Sequence, residues 1–401
     1  MGERQTIVIA GAGIGGLTAA LSLAARGFKV LIAERTGELS ELGAGIQLAP
    51  NAGRVLAGLG LDAAIAEASS EPVAIDVYDA LGGRPIVSIP TKRFRDRYGF
   101  PYRVIHRADL QKILVAAVEA NPAITLRLGA TVGDFVAQAG GYLVRVSRSG
   151  GQDVVSAAAV IGADGLWSTL RDRIPGAGVA EATGRTAWRG LIPADSVPSA
   201  IAVDRLTLWL GPDAHLVHYP VARGAAVNVV AIIEEDWTRP GWSNAGDPKW
   251  LAKRFAAWPE PARAIIAGPI SWRKWAVTTI DASKPWVNGP LALLGDAAHA
   301  MGPFIAQGAA MAIEDAAVLA DVLAEAHDAA SALKSYALRR KPRVMAAARA
   351  AARVGAIYHW RPPLAAIRNA VLRLAGPFLI LAVNDWIYRW NPDHSREAKR
   401  V

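Results

Sequence analysis

Cysteine is absent from all 401 residues. That excludes disulfides, thiolate metal sites and cysteine nucleophiles together, and it agrees with a cytoplasmic chain. A metal would need imidazole and carboxylate ligands. The seven histidines are scattered, however, and no HExxH pair occurs at helical spacing, so the sequence carries no zinc-hydrolase signature. Low-complexity blocks and fixed-period repeats are missing too. The opening MGERQTIVIAGAG enters a buried strand directly, without the architecture of a cleavable leader. Long apolar runs are equally scarce. The longest late one, Ala375 to Val383, covers nine residues, against roughly 20 needed to span a bilayer. With Arg368, Arg373 and Arg389 around it, this run reads as a docked or surface-lying helix, and no stable membrane insertion is expected.

What is present is ordinary globular material: 52% hydrophobic and 20% charged residues, with 38 glycines and 24 prolines spread along the chain. The length suits two intimately joined domains or one large elaborated domain. Lys and Arg exceed Asp and Glu by 44 to 35, a net charge of +9. No compact basic run or basic-aromatic interleaving accompanies the excess, so no nucleic-acid partner is expected. The positive field favours anionic ligands such as a pyrophosphate or a carboxylate. Monomer and homodimer are both open.

Thr6 to Ala10 (TIVIA) has the β-branched, apolar composition of a parallel strand buried on both faces. Gly11-Ala12-Gly13-Ile14-Gly15-Gly16 then fits GxGxxG, and an alanine-rich, helix-compatible stretch follows to Arg26. Each glycine has its task. Gly11 permits the tight turn, Gly13 lets the backbone approach a pyrophosphate, and Gly16 lets the helix pack closely on its strand. A second strand, Lys29 to Ala33, ends at Glu34, 23 positions after Gly11, where a carboxylate can accept hydrogen bonds from a ribose. Strand, glycines, helix, strand and acid in this order make a dinucleotide site. NAD and FAD both carry the adenosine pyrophosphate it holds, so the unit alone leaves them undivided.

Two later blocks repeat nucleotide-site chemistry. Val160-Ile161-Gly162-Ala163-Asp164-Gly165 reads as a strand end and turn, before Trp167-Ser168-Thr169-Leu170-Arg171 opens a helix. Leu291 to Leu294 reads as a buried strand ending at Gly295, with Asp296 at its tip. His299, Met301-Gly302-Pro303 and Ala306-Gln307-Gly308-Ala309 follow, leading into an alanine-rich helix.

On these three ordered motifs, GAGIGG, GADGLWSTLR and GDAAHAMGPFIAQGAAMAIEDA, the chain resembles the flavoprotein aromatic hydroxylases. These are single-component FAD monooxygenases of the kind that act on salicylate, hydroxybenzoate and hydroxynicotinate. The resemblance spans nearly the whole chain. It implies FAD as cofactor, NAD(P)H as reductant with NADH favoured, and O2 adding at flavin C4a to give a hydroperoxide that hydroxylates a small aromatic, a phenolic carboxylate above all. It further implies that Glu34 and Arg35 hold the adenosine ribose region and that Arg107 lies along the phosphates and ribityl chain. Asp164 would serve both FAD and nicotinamide, Asp296 would contact the ribityl-pyrophosphate region, and Pro303 to Ala309, with Gly308 between, would pass the flavin ring. Ala306 departs from relatives that carry glycine there. Alanine adopts positive φ only at a cost, so the turn is expected to follow the subset reading AQG. A flavin halogenase is disfavoured by the lack of a WxWxIP sequence. A bulkier phenol or quinolone, or a non-catalytic flavin sensor, is the alternative.

A ring site is sought in Arg205 to Val221, which alternates like two strands about Gly211-Pro212-Asp213. On the second strand His215, Val217 and Tyr219 share one face and His218 points to the other. Histidine can take a proton near neutral pH, and an electrophilic oxygen attacks best when a ring hydroxyl is hydrogen-bonded or deprotonated. By the resemblance, His215 is the base and Tyr219 its partner; a histidine and tyrosine satisfied in a sheet core is the plain alternative. Trp188 as a ring wall, Arg189 as a carboxylate anchor and His299 are weaker candidates for the substrate. His106, His327, His359 and His394 read as structural or exposed. Of the 13 tryptophans, nine fall between the second and third motifs: Trp188, Trp209, Trp237, Trp242, Trp250, Trp258, Trp272, Trp275 and Trp286. Core packing explains most of them.

The expected fold class is α/β: an FAD-binding Rossmann-like domain over 1–75, 105–172 and 279–330, interleaved with a sheet-rich substrate domain over 76–104 and 173–278. A helical region, 331–401, closes the chain, bent at Pro342, Pro362 and Pro363.

Overall fold

The computed structural model describes residues 6–39, 45–138, 140–148, 150–199, 201–237, 241 and 244–392; Trp242 and His394 lie outside them. Strand Thr6–Ala10 pairs in parallel with Lys29–Glu34 on one side and Ala159–Gly162 on the other. Leu291–Leu293 extends this sheet in parallel beyond Ala159–Gly162, and Ile124–Leu128 extends it beyond Lys29–Glu34. Ile7, Val8 and Ile9 are wholly buried, which is why the strand reads as an unbroken apolar run instead of an alternation. Helix Ile14–Ala24 packs against helix Gly308–Glu325, so the first and third motifs meet through their helices.

A second, eight-stranded sheet takes in Ala74–Asp79 and Pro85–Pro90 together with the six strands described from Ala180 to Ile280. Its strands Ala180–Pro193, Ala226–Glu234 and Ala214–Val221 are antiparallel neighbours in that order. The register fixes which side chains share a face. Trp188 lies opposite Ala231, which lies opposite Leu216. These residues join Leu251, Phe255 and Trp258 in a core on the side covered by helices Pro248–Arg254 and Glu260–Ala267. The other face carries Ala187, Ile232, Val217 and Tyr219 and packs toward Phe304, Phe94 and Tyr102.

The C-terminal region is helical. Ala329–Tyr358 is one helix with Pro342 inside it. The real break follows it, at Pro362 and Pro363, before the next helix begins at Leu364. Helix Leu364–Val383 is kinked at Gly376 (φ 60°) ahead of Pro377. With the turn that follows, Leu364–Tyr388 is long and apolar enough by length and composition alone to cross a membrane, and only 17% of its most apolar stretch is buried. Ile367, Val371, Leu374 and Phe378 all face outward. The run Ala375 to Val383 is only part of this stretch, because Leu364 to Leu374 contributes its apolar residues at helical spacing, not as a run.

Candidate functional site

The tip of the six-stranded sheet opens into a cleft formed by two adjoining cavities of about 380 and 450 Å3, which share Gly13, Glu34, Arg35, Asp164, Gly165 and Trp167. Gly11 has φ 104°, and a Cβ there would fall 2.5 Å from the Ala163 carbonyl oxygen. A Cβ on Gly16 would collide with the Gly11 carbonyl oxygen, so this glycine sets how closely the helix approaches its strand. Gly13, by contrast, has open space beside it and lines both cavities. Glu34 Oε2 accepts from the Ala12 amide (2.8 Å), while Oε1 accepts from the Thr36 amide and hydroxyl (2.9 Å each). Asp164 Oδ2 accepts from the Thr169 amide (2.9 Å). Its Oδ1 is buried beside the cleft without a hydrogen-bond partner among the described residues. Arg107 and Asp296 line the larger cavity. Gln111, one helical turn past Arg107, lines it too and donates to the Ala12 carbonyl (3.1 Å). The sequence reading missed Gln111, although its i, i+4 spacing from Arg107 was the available signal. An open glycine edge at a helix N-terminus and a buried carboxylate oxygen awaiting a donor fit a dinucleotide carrying ribose hydroxyls and pyrophosphate.

The third motif is braced from beneath. Asp315 Oδ2 accepts from the Gly295 amide (3.1 Å) and pairs with His299 Nε2 (2.6 Å), so one carboxylate anchors both ends of the Asp296–His299 turn. Burial alone would raise its pKa, but His299 and Arg340 outweigh this and hold it at about 2. Arg340, itself buried, donates to Asp315 Oδ1 and Glu314 Oε2 (2.7 Å each). Asn51 spans from Glu314 Oε1 (2.7 Å) to Gln307 Oε1 (2.9 Å). His299 therefore sits in this bracing network, apart from His215. Gly308 and Ala309 open helix Gly308–Glu325, so their amides have no partner in the preceding turn. Pro303 opens the short helix Pro303–Ile305, which ends on Ala306 at φ 51°, ψ 37°. Alanine therefore takes the left-handed conformation here in spite of its cost.

On the inner face of the eight-stranded sheet, His215 is 3% exposed and Tyr219 is 3% exposed. The His215 ring lies 5.6 Å from Phe304, within the flavin-loop motif, and 5.4 Å from Tyr358. Its Nδ1 is 2.8 Å from Nε2 of His359. His359, expected to be structural or exposed, is buried in this pair. It lies 144 residues away in sequence, and no local pattern pairs the two. Burial, then His359, then Arg185 keep the His215 imidazole well below its ordinary pKa and hence neutral. Tyr219 packs against Gly45, and burial pushes its hydroxyl up to about 12 against the opposing pull of Arg189 and Gln47. Arg189 shares this face and stacks over Trp275 at 4.5 Å. Trp188 is not brought to it. Trp188 stacks on Trp250 in the outer core (5.2 Å), because adjacent strand residues point to opposite sides. His218, on that outer side, is buried against Trp209.

The family model described as an FAD binding domain matches residues 4–351. A 3-hydroxybenzoate 6-hydroxylase of Aquipseudomonas alcaligenes is 36% identical over 391 residues, covering 96% of this chain and 97% of the relative. A 6-hydroxynicotinate 3-monooxygenase of Bordetella bronchiseptica is 32% identical over 350 residues, covering 86% and 89%. Among solved structures, Klebsiella pneumoniae HpxO complexed with FAD and uric acid superposes with a TM-score of 0.80 at 26% identity, over 94% of this chain and 95% of that one. The chain belongs to the FAD-binding family, among its flavoprotein aromatic hydroxylases. It is an FAD-dependent monooxygenase.

Proposed function

We propose that the chain hydroxylates a small phenolic carboxylate of the hydroxybenzoate or hydroxynicotinate kind, with NAD(P)H, NADH by preference, as reductant. The observation that carries this reading is the placement of His215 and Tyr219 on one buried face, with His215 against Phe304 of the loop preceding helix Gly308–Glu325. The relatives whose names give a substrate act on hydroxybenzoates and a hydroxynicotinate.

Bound FAD would supply the activated oxygen, held by Gly13, Glu34, Arg35, Arg107, Asp164 and Asp296 with the amides of Gly308 and Ala309. The chain's own work is to position the ring and move its proton. His215, neutral because it is buried, offers an imidazole lone pair to the ring hydroxyl, which raises electron density ortho and para to it. Tyr219, protonated throughout the neutral range, donates a hydrogen bond to the same oxygen or its neighbour. Arg189, on the same face, supplies the positive charge that a substrate carboxylate needs. Burial of both catalytic groups keeps water from the reacting centre.

The test is a screen of hydroxybenzoates and hydroxypyridine carboxylates for stimulated NADH oxidation, with product and CO2 followed by mass spectrometry. Stimulation together with a hydroxylated product supports the proposal. No response to any phenolic acid would redirect it to bulkier phenols.

A further inference from the structure

The pairing of His215 with His359 reaches one group further than the ring site requires. His359 Nδ1 is 3.2 Å from Oε1 of Glu234, whose side chain is 42% exposed. A carboxylate can only accept, so His359 Nδ1 carries the proton and its Nε2 is left as the acceptor. His215 Nδ1, facing that Nε2 at 2.8 Å, must then be the donor. The remaining nitrogen of His215, Nε2, is thereby fixed as the unprotonated one. A surface carboxylate thus sets the tautomer of a buried base through an intervening imidazole.

We infer that Glu234 and His359 form a proton path that fixes the basic tautomer of His215 and carries the substrate's hydroxyl proton to solvent. This rests on the reading of His215 as the base. The transfer balances in single steps. The hydroxyl proton moves to His215 Nε2, the His215 Nδ1 proton moves to His359 Nε2, and the His359 Nδ1 proton moves to Glu234 Oε1, from which water takes it. The ring oxygen keeps its electron pair as phenolate. The reverse passage, when the product hydroxyl is reprotonated, restores the starting tautomers.

The surroundings favour transit over storage. Around the histidine pair stand Arg185 on strand Ala180–Pro193, Asp213 at the strand turn with its partner Arg361, Glu234 at the end of strand Ala226–Glu234, and Tyr358 on the preceding helix. Arg185 reaches Glu234 at 3.3 Å and lies 5.2 Å over Phe304, so a proton resting on either imidazole would sit buried near a guanidinium. Burial, then His359, then Arg185 hold His215 below its ordinary value; burial and Arg185 likewise hold His359 down, against the opposing pull of Glu234 and Asp213. Backbone bonds hold the path in place: the Asp213 amide donates to the His359 carbonyl (3.2 Å), and the Glu234 amide donates to the Asp213 carbonyl (2.8 Å).

The experiment uses the FAD-loaded full chain and a chromophoric probe, a hydroxy-nitrobenzoate whose phenolate absorbs visible light. Formation of bound phenolate after mixing is followed by stopped flow from pH 6 to 9 in wild type, Glu234→Gln, His359→Gln and His215→Gln. Glu234→Gln retains an acceptor at a half-exposed position, so it tests the path without threatening the fold. The expected result is phenolate formation slowed about tenfold or more near neutral pH in Glu234→Gln and His359→Gln, recovering as pH rises through the probe's own ionisation. A merely structural role would not produce that pH dependence. If both variants match wild type while His215→Gln is slow, the path is overturned and the base stands. If His215→Gln also matches wild type, the base assignment itself falls.

Discussion

His215 and Tyr219 are four residues apart on one strand, which is enough to put them on one face but not to say what that face meets. The structure supplies the neighbours: Phe304 and His359 for the histidine, Gly45 and Gln47 for the tyrosine. Each residue carries a separable consequence. His215→Ala and Tyr219→Phe should raise the share of NADH consumption that ends in hydrogen peroxide, measured as peroxide per NADH oxidised. Unchanged coupling and product rate in both would remove them from the reaction. Ala306 carries a different prediction. Its left-handed backbone costs about 1–2 kcal/mol relative to glycine, while glycine's greater unfolded-state freedom returns roughly 0.5–1 kcal/mol. Ala306→Gly should therefore raise unfolding stability by about 0.5–1 kcal/mol, read as a higher urea midpoint at constant slope. A lower midpoint would mean that the alanine methyl makes contacts worth more than the strain.

At the scale of elements, the first strand and helix show how one motif divides its labour. Gly16 governs packing, since a side chain there meets the Gly11 carbonyl; Gly13 governs access, since a side chain there meets none of the described residues. Gly13→Ala should leave the melting temperature of the flavin-free protein unchanged and sharply lower the flavin-to-protein absorbance ratio. Gly16→Ala should depress both. Equal behaviour of the two variants would argue against this division. The motif's helix, its glycines and Glu34 were legible in sequence because the requirement is local: a turn, a close approach and an acid at the end of the next strand. Trp188 was not, because its face depends on the register of strand Ala180–Pro193 against Ala226–Glu234, and a one-residue step decides between Trp188 outward and Arg189 inward.

At the scale of the whole molecule, Asp315 and Arg340 tie the third motif to helix Ala329–Tyr358, and Asn51 links Glu314 to Gln307. Because Asp315 is held at about 2 in the folded chain and an unfolded aspartate titrates near about 4, its contribution is fully present above about pH 4 and is lost as pH falls toward 2. Urea stability measured between pH 5 and 2.5 should fall steeply in the wild type and less steeply in Asp315→Asn. Parallel slopes would place the acid sensitivity elsewhere. The outward apolar side of helix Leu364–Val383 stands apart from this network: Leu374, 88% exposed, packs on little of the protein. Leu374→Ser should therefore change stability by less than about 0.5 kcal/mol.

The sequence by itself determined the cofactor class and the α/β core around it. Buried parallel strands, glycine turns and strand-tip acids are short-range patterns whose geometry follows from the backbone, and the three blocks occur in a definite order. Only the tertiary structure decided what surrounds the reacting ring. It brought His359 from the end of a 30-residue helix onto His215, turned Trp188 away, and assigned His299 to the bracing of the flavin loop. The first joins segments 144 residues apart, the second turns on one step of register, and the third depends on how the Asp296–His299 turn folds back onto the helix that follows it. They depend on how two sheets and a helix close on one another, which no local spacing encodes.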